Sequence, residues 1–432
     1  MSANILAGID IGSFKIATII AQHNPQEEKI NIIGASSIPS AGVRKGQIVD
    51  IEEATQTIIQ SVEAAERMAG YTLSRTLISV SGAHIASQNS KGVVAVSEPE
   101  GEINQEDVRR VIEAARAISL SSSREIVHCL PRFFTVDSQE GIKDPIGMTG
   151  VRLEVDTHII TGSTTALRNI AKCVVEVGAE IESLVFSGLA AAEGVLTETE
   201  KELGVVLVDI GGGTTSIIVY VEGAPAYSTV LPVGAKNVTN DLAIGLRLSL
   251  DSAERLKIAL STKTKTAAKP QEQQKEEEKK KEDEIDLGSL GIYEETKTVS
   301  RKTLVEGIIK PRLNEIFTMV GLEIKKSGFG GMTPSGLVIC GGGAQTVGAV
   351  EAAKRTLSMP VRIGVPSGVS GLIDDVLTPD FAASLGLIIY GSKNVTSQPG
   401  KISFPQIGRF TQKIPVGGLA KKVVDLVKSF LP

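Results

Sequence analysis

Residues 205–220, "VVLVDIGGGTTSIIVY", end an apolar run on an acidic residue, follow it with three glycines and two threonines, and return to apolar residues. That pattern reads as a strand, a tight turn and a second strand. The chain carries the same design earlier, where residues 8–20 are "GIDIGSFKIATII". With Asp10 laid on Asp209 the two stretches run in step: apolar approach, Asp-Ile-Gly, small or polar residues, apolar exit. A lone glycine turn says little, because hairpins use glycine for φ > 0. A pair of turns, each preceded by an Asp at a strand end, says more. A carboxylate there can hold Mg²⁺ through water or orient an attacking water. The backbone N–H groups of Gly12, Ser13, Gly211, Gly212 and Gly213 can cradle phosphate oxygens. Ser13, Thr214 and Thr215 add hydroxyls, and Lys15 adds a positive charge.

A third glycine element, "ICGGGAQ", sets Gly341, Gly342 and Gly343, followed by Ala344, between an apolar strand and a helix N-terminus. A nucleotide can lie close to the backbone at such a place. Gly234 joins the same nucleotide-binding set. Neither GxxxxGK[ST] nor strand–GxGxxG–helix occurs, so P-loop and Rossmann readings fail.

Bulk properties narrow the field. At 432 residues the chain is long enough for two or more cores. Trp is absent, the net charge is −5, and no basic stripe stands out in the main body, which argues against a nucleic-acid groove. Cys129, Cys173 and Cys340 match no metal-ligand spacing and read as buried thiols in a reducing compartment. No apolar run reaches membrane-spanning length, and "MSANILAGID" meets Asp10 too early for a signal peptide.

Along the chain, "EKINIIGASSI" and "RTLISVSG" read as strands flanking a helix that Asp50 opens. Residues 82–160 form a compact α+β insert. It contains a helix opened by Asn104, and a strand, "REIVHCLPRFFTVD", interrupted by Pro131. "SGLAAAEGVLTETE" reads as one helix. Residues 263–291, nearly all Lys, Glu, Gln and Asp, read as a disordered or partly helical surface loop. "RKTLVEGIIKPRLNEIFTMVGLEIKKSG" is a long helix that Pro311 must kink or break. "LTPDFAASLGLIIYG" is another helix.

Two hairpins and a glycine turn suit two similar lobes that clamp one nucleotide. This resembles the actin, Hsp70 and sugar-kinase superfamily. In its terms residues 9–16 and 208–215 look like the two phosphate motifs, and 338–345 like the adenosine motif. Residues 181–196 and 377–390 look like the connecting segments. "SAERLK", 252–257, is similar to the helix that touches the nucleoside, with Glu254 and Lys257 as contacts. The place of the insert, closed by "GIKDPIGMTGVRLEVDTHII", resembles the FtsA family of bacterial cell-division proteins.

The resemblance implies an α/β fold of two RNase H-like domains, with an SHS2-type insert replacing the subdomain that actin carries elsewhere. The divisions it implies are 5–81, 161–203 and 358–392 for the first lobe, and 82–160 for the insert. They continue with 204–236 and 300–357 for the second lobe, and 237–299 for its smaller subdomain. It further implies ATP and Mg²⁺, with Asp10 and Asp209 positioning the metal and water, and weak or no hydrolysis. Expected partners are further copies of the chain in a filament, the C-terminal peptide of FtsZ, docked near Arg301 and Lys302, and other divisome proteins. The competing expectation is a small-molecule kinase of the superfamily, but no residue marks a substrate hydroxyl site.

Behind a polar linker, 393–414, the tail 415–432 is amphipathic. At about 100° per residue, Val416, Leu419, Val423, Val424, Leu426, Val427, Phe430 and Leu431 share an arc of roughly 160°. Lys421, Lys422 and Lys428 lie on the other side. Such a helix suits the cytoplasmic surface of a membrane; docking on the protein's own core is the other expectation.

Overall fold

The computed structural model describes residues 4–27, 29–97, 101–262, 283–294, 298–372 and 375–395. The linker from 396 and the tail helix lie outside them, as do residues 263–282 of the charged insertion.

The first lobe opens with β1 (Asn4–Ile11), β2 (Lys15–Asn24) and β3 (Lys29–Pro39) as an antiparallel meander. A small hairpin, β4 (Val43–Arg44) and β5 (Gln47–Ile48), precedes α1 (Ile51–Ala69). As the sequence indicates, Asp50 caps α1 by accepting the Glu53 N–H, and Gly70 ends it in the left-handed region at φ 64°. β6 (Arg75–Val80) then pairs parallel with β1. The central strands are buried on both faces: Ile9, Ile16 and Ile20 pack with Ile58 and Val62 of α1 in one cluster, while Ala17 and Ile19 join a second.

The insert contributes β7 (Ala86–Ala95), α2 (Gln105–Arg116), β8 (Arg124–Val136), β9 (Gln139–Ile142) and β10 (Arg152–Ser163). Its sheet runs β7-β10-β8-β9 and has its own core of Ile103, Val111, Phe134, Leu153 and Val155. Pro131 does not interrupt β8. Asp156 pairs with Phe133 and Thr157 with Pro131, so Arg132 bulges out and takes up the register beside the missing N–H.

The first lobe resumes with α3 (Thr164–Val175) and β11 (Glu180–Phe186), giving the sheet order β11-β6-β1-β2-β3, to which a late strand is added beside β3. The next apolar stretch gives two helices rather than one, α4 (Ser187–Val195) and α5 (Glu198–Leu203). Thr197 and Glu200 form a capping box that starts α5 afresh.

The second lobe repeats the meander in β12 (Val205–Ile210), β13 (Thr215–Val221) and β14 (Ala224–Leu231), followed by α6 (Lys236–Leu246) and α7 (Leu250–Thr262). Regular structure returns inside the charged insertion, at β15 (Glu284–Asp286), because Ile285 and Leu287 have apolar surface to bury. β15 pairs with β16 (Thr298–Ser300).

Pro311 does not break the long helix. A short α8 (Arg301–Leu304) passes through a π-helical turn, Val305–Ile309, into α9 (Lys310–Ser327). The carbonyl that the proline ring would meet, that of Gly307, lies in this wider turn. β17 (Leu337–Cys340), α10 (Ala349–Leu357) and β18 (Val361–Ile363) complete the sheet β14-β13-β12-β17-β18. The second sheet therefore extends to Ile363, past the boundary at 358 expected from sequence. β19 (Ser370–Gly371) returns to the first sheet, and α11 (Ala382–Val395) packs Leu385 and Ile388 against it.

Candidate functional site

The two hairpins match residue for residue. Ile11 pairs with Ile16 and Ile210 with Thr215. The Gly12 N–H donates to the Lys15 carbonyl (3.1 Å), and the Gly211 N–H to the Thr214 carbonyl (2.9 Å). Each Asp-bearing strand has a parallel neighbour on its other side, β6 for β1 and β17 for β12. The turns face and touch. A Cβ on Gly212 would stand 2.7 Å from Phe14 Cβ, and one on Gly213 would stand 3.0 Å from Ser13 Oγ. Lys236, at the start of α6, donates across the cleft to the Ser13 carbonyl (2.7 Å).

Asp10 is held firmly. Ser79 donates to Oδ1 (2.5 Å) and Ser384 to Oδ2 (3.3 Å). Burial lifts its carboxyl above the ordinary range, against those hydrogen bonds and the Lys15 charge. Asp209 has no such support: among the described residues no hydrogen bond reaches its carboxylate. Burial, with the neighbouring charge of Asp10, pushes it up to about 7. Its Oδ1 lies 2.3 Å from where a Cβ on Gly341 would stand, and Gly341 has φ 79°.

The glycine segment forms a 3₁₀ turn, Gly342–Gln345, so α10 begins only at Ala349. Asp380 bridges this segment to the first turn. It pairs with Lys15 (2.5 Å) and accepts from Gln345 Nε2 (2.9 Å), while the Lys15 ammonium sits 3.3 Å from the centre of the Phe381 ring. Burial pushes Asp380 up, but the charge and hydrogen bond of Lys15 outweigh it and hold the carboxyl below its usual value.

Glu254 and Lys257 pair with each other (2.8 Å) and with Thr239 of α6, and Lys257 also reaches the Ala235 carbonyl (3.4 Å). Burial lowers the pKa of Lys236, with the Arg44 and Lys257 charges acting in the same direction and that of Glu254 against them. Some sequence-predicted residues also have contacts within the scaffold. The Thr215 hydroxyl, fully buried, donates to the Val233 carbonyl (2.8 Å), because its position in β13 points it inward. Ala344 is buried in the second core. Gly234 buttresses the second turn: a Cβ there would meet the Gly211 carbonyl oxygen at 2.5 Å. Arg301 donates to the Leu260 carbonyl (2.8 Å), leaving Lys302 as the exposed charge of that pair. The tail residues Leu419 to Leu431 lie outside the described residues.

Ser79, Ser384, Asp380, Gln345 and Lys236 do not stand out in the sequence. A serine inside the apolar strand "RTLISVSG" was a usable signal, since a buried hydroxyl needs a partner. So was the Asp of "TPDFAAS", one residue after a proline and just ahead of a helix.

Comparison with known proteins finds likenesses in sequence and in fold. Residues 82–161 match the family model described as "SHS2 domain inserted in FTSA", and residues 206–386 match that of "Cell division protein FtsA". The cell division protein FtsA of Pseudomonas aeruginosa is 37% identical over 390 residues, covering 90% of each chain. Among solved structures, the PilM–PilN type IV pilus biogenesis complex superposes with a TM-score of 0.60 at 16% identity, covering 90% of this chain and 98% of that one. MreB 5 of Spiroplasma citri bound to AMPPNP gives 0.51 at 13% identity, covering 92% and 99%. These two likenesses concern the actin-like fold.

Proposed function

The chain belongs to the FtsA family of cell-division proteins, and on that premise we propose that it is an ATP-binding, actin-like scaffold that polymerises on the cytoplasmic face of the membrane. The observation that carries the nucleotide reading is the pair of register-matched hairpins meeting turn to turn, each with an aspartate at its strand end.

In this reading the polyphosphate lies along the two turns. The N–H groups of Ser13, Gly212 and Gly213, and the ammoniums of Lys15 and Lys236, offset its charge. Lys15 exchanges Asp380 for phosphate. The donor set suits Mg²⁺, a hard cation that keeps several waters: Asp10, oriented by Ser79 and Ser384, and the unsupported Asp209 would hold it. The metal supplies neutralisation of phosphate charge. Glu254 and Lys257 stand at the nucleoside end, by resemblance to the family helix.

MreB 5 of Spiroplasma citri, which shares the fold and was solved with AMPPNP bound, supports a nucleotide in this cleft. The filament, the docking of the FtsZ C-terminal peptide near Lys302 and Arg301, and the membrane-bound tail follow from family membership together with the amphipathic pattern of 415–432.

Electron microscopy on lipid monolayers with ATP, with and without FtsZ, tests the whole. Filaments that need ATP and the lipid surface are expected. Vesicle flotation of the full chain beside a Δ415–432 truncation tests the tail, and equal flotation of both would discard it as the anchor.

A further inference from the structure

The insert enters and leaves through the first lobe, yet it is fastened to both lobes. On the first-lobe side, His128 of β8 accepts the Phe186 N–H through Nε2 (2.9 Å), with its ring edge-on to Tyr390 at 5.9 Å. On the other side, the first half of β7 lies along β14, the outer strand of the second sheet. Ser87 Oγ donates to the Ser228 carbonyl (2.7 Å) and accepts the Ser228 N–H (2.9 Å). Asn89 Nδ2 donates to the Ala226 carbonyl (3.2 Å).

His158 of β10, fully buried, joins these pieces. Its Nδ1 lies 2.7 Å from Asn89 Oδ1, and its Nε2 lies 2.9 Å from Ser228 Oγ. The chain of donors is self-consistent: Ser228 Oγ–H to Nε2, Nδ1–H to Asn89 Oδ1, and Asn89 Nδ2–H to Ala226 O. This chain holds with a neutral imidazole, whose pKa burial pushes down to about 3. Side chains thus satisfy the edge of β14 as a further strand would. Farther along, Arg132 stands 5.7 Å from the Phe329 ring, which follows α9 in the second lobe.

Lobes that clamp a ligand must separate to admit and release it. A module pinned to both must then stretch, slide or let go. We infer that the insert is an interlobe strap whose β7–β14 seam parts when the cleft opens, so that the state of the cleft is displayed on the insert. This rests on the nucleotide reading above only for its kinetic arm.

The test uses the full chain with Ser87→Ala and Asn89→Ala combined, both outside the insert's apolar core, and Lys91→Ala as a control. Lys91 lies on the same strand but pairs with Asp156 (3.2 Å) within the insert. Losing these bonds should speed amide hydrogen exchange at Ser228 and speed release of a fluorescent ATP analogue about tenfold, with the control unchanged.

Release within twofold of the parent in the double alanine variant, with faster exchange at Ser228, would overturn the strap, and so would unchanged exchange at Ser228. If the parent binds no nucleotide, the nucleotide reading fails by itself. The strap is then judged by the distance between spin labels on the insert and the second lobe. That distribution should broaden in the double alanine variant, and an unchanged one overturns the proposal.

Discussion

The two hairpins share register, turn and approach, but differ in what stands beside each aspartate. In the first, β6 places Ser79 next to Asp10, and the hydroxyl donates to the carboxylate (2.5 Å). In the second, β17 places Cys340 opposite Asp209, and the next residue is Gly341. A thiol is a weak donor, and burial and the charge of Asp209 hold this one well above its ordinary pKa. One jaw is thus built around a fixed carboxylate. The other holds a buried carboxylate with no hydrogen-bond donor among the described residues to offset the cost of its charge. Matched backbones therefore do not give matched electrostatics; the neighbouring strand decides.

The largest expected effect comes from closing the space that Asp209 occupies. Gly341→Ala sets a Cβ 2.3 Å from Oδ1 at a φ of 79°. It should lower unfolding free energy by about 2–5 kcal/mol, read by chemical denaturation. The corresponding first-lobe residue, Val80, already carries a side chain, and Val80→Ala should cost only the ordinary loss of buried methyls.

Next is the charge itself. Asp209 titrates at about 7 in the folded chain, above the unfolded value near 3.8. Its contribution to stability is therefore complete below about 3.8 and lost as pH rises through about 7. Asp209→Asn should stabilise the metal-free protein at pH 8 by on the order of 2 kcal/mol, read as a higher Tm, and leave it unchanged at pH 4. An equal shift at both pH values would show that Asp209 is not charged at a cost.

Ser79→Ala makes the first jaw resemble the second. A loss of about 1–2 kcal/mol at neutral pH is expected, with a further rise in the Asp10 pKa followed by carboxyl NMR. The smallest effect is the converse. Cys340→Ser offers Asp209 a hydroxyl, and its pKa should fall by about one unit. No movement would mean that the neighbouring strand is not the cause of the asymmetry.

Much of this was legible in the residues. The alternation of apolar runs, the repeated Asp-Ile-Gly and the caps at Asp50 and Asn104 are local signals that act within a few residues, so the hairpins, the helices and the place of the insert could be read directly. Where expectation and fold part, a nonlocal or compensating term intervenes. Pro131 sits beside a bulge and Pro311 after a π turn, and neither is visible until a partner strand or the turn geometry is known. The site divides in the same way. Asp10, Lys15, Asp209 and the glycines stand out by spacing, while Ser79, Ser384 and Asp380 acquire meaning only when β6, α11 and the 3₁₀ turn Pro379–Phe381 ahead of it bring them to the hairpins from 69 to 374 residues away. The sequence by itself determined that there would be two jaws and where the insert would enter. Only the tertiary structure decided that the jaws differ and that the insert spans both lobes, because carboxylate charge and edge-strand hydrogen bonds depend on groups that the chain brings together by folding, not by order.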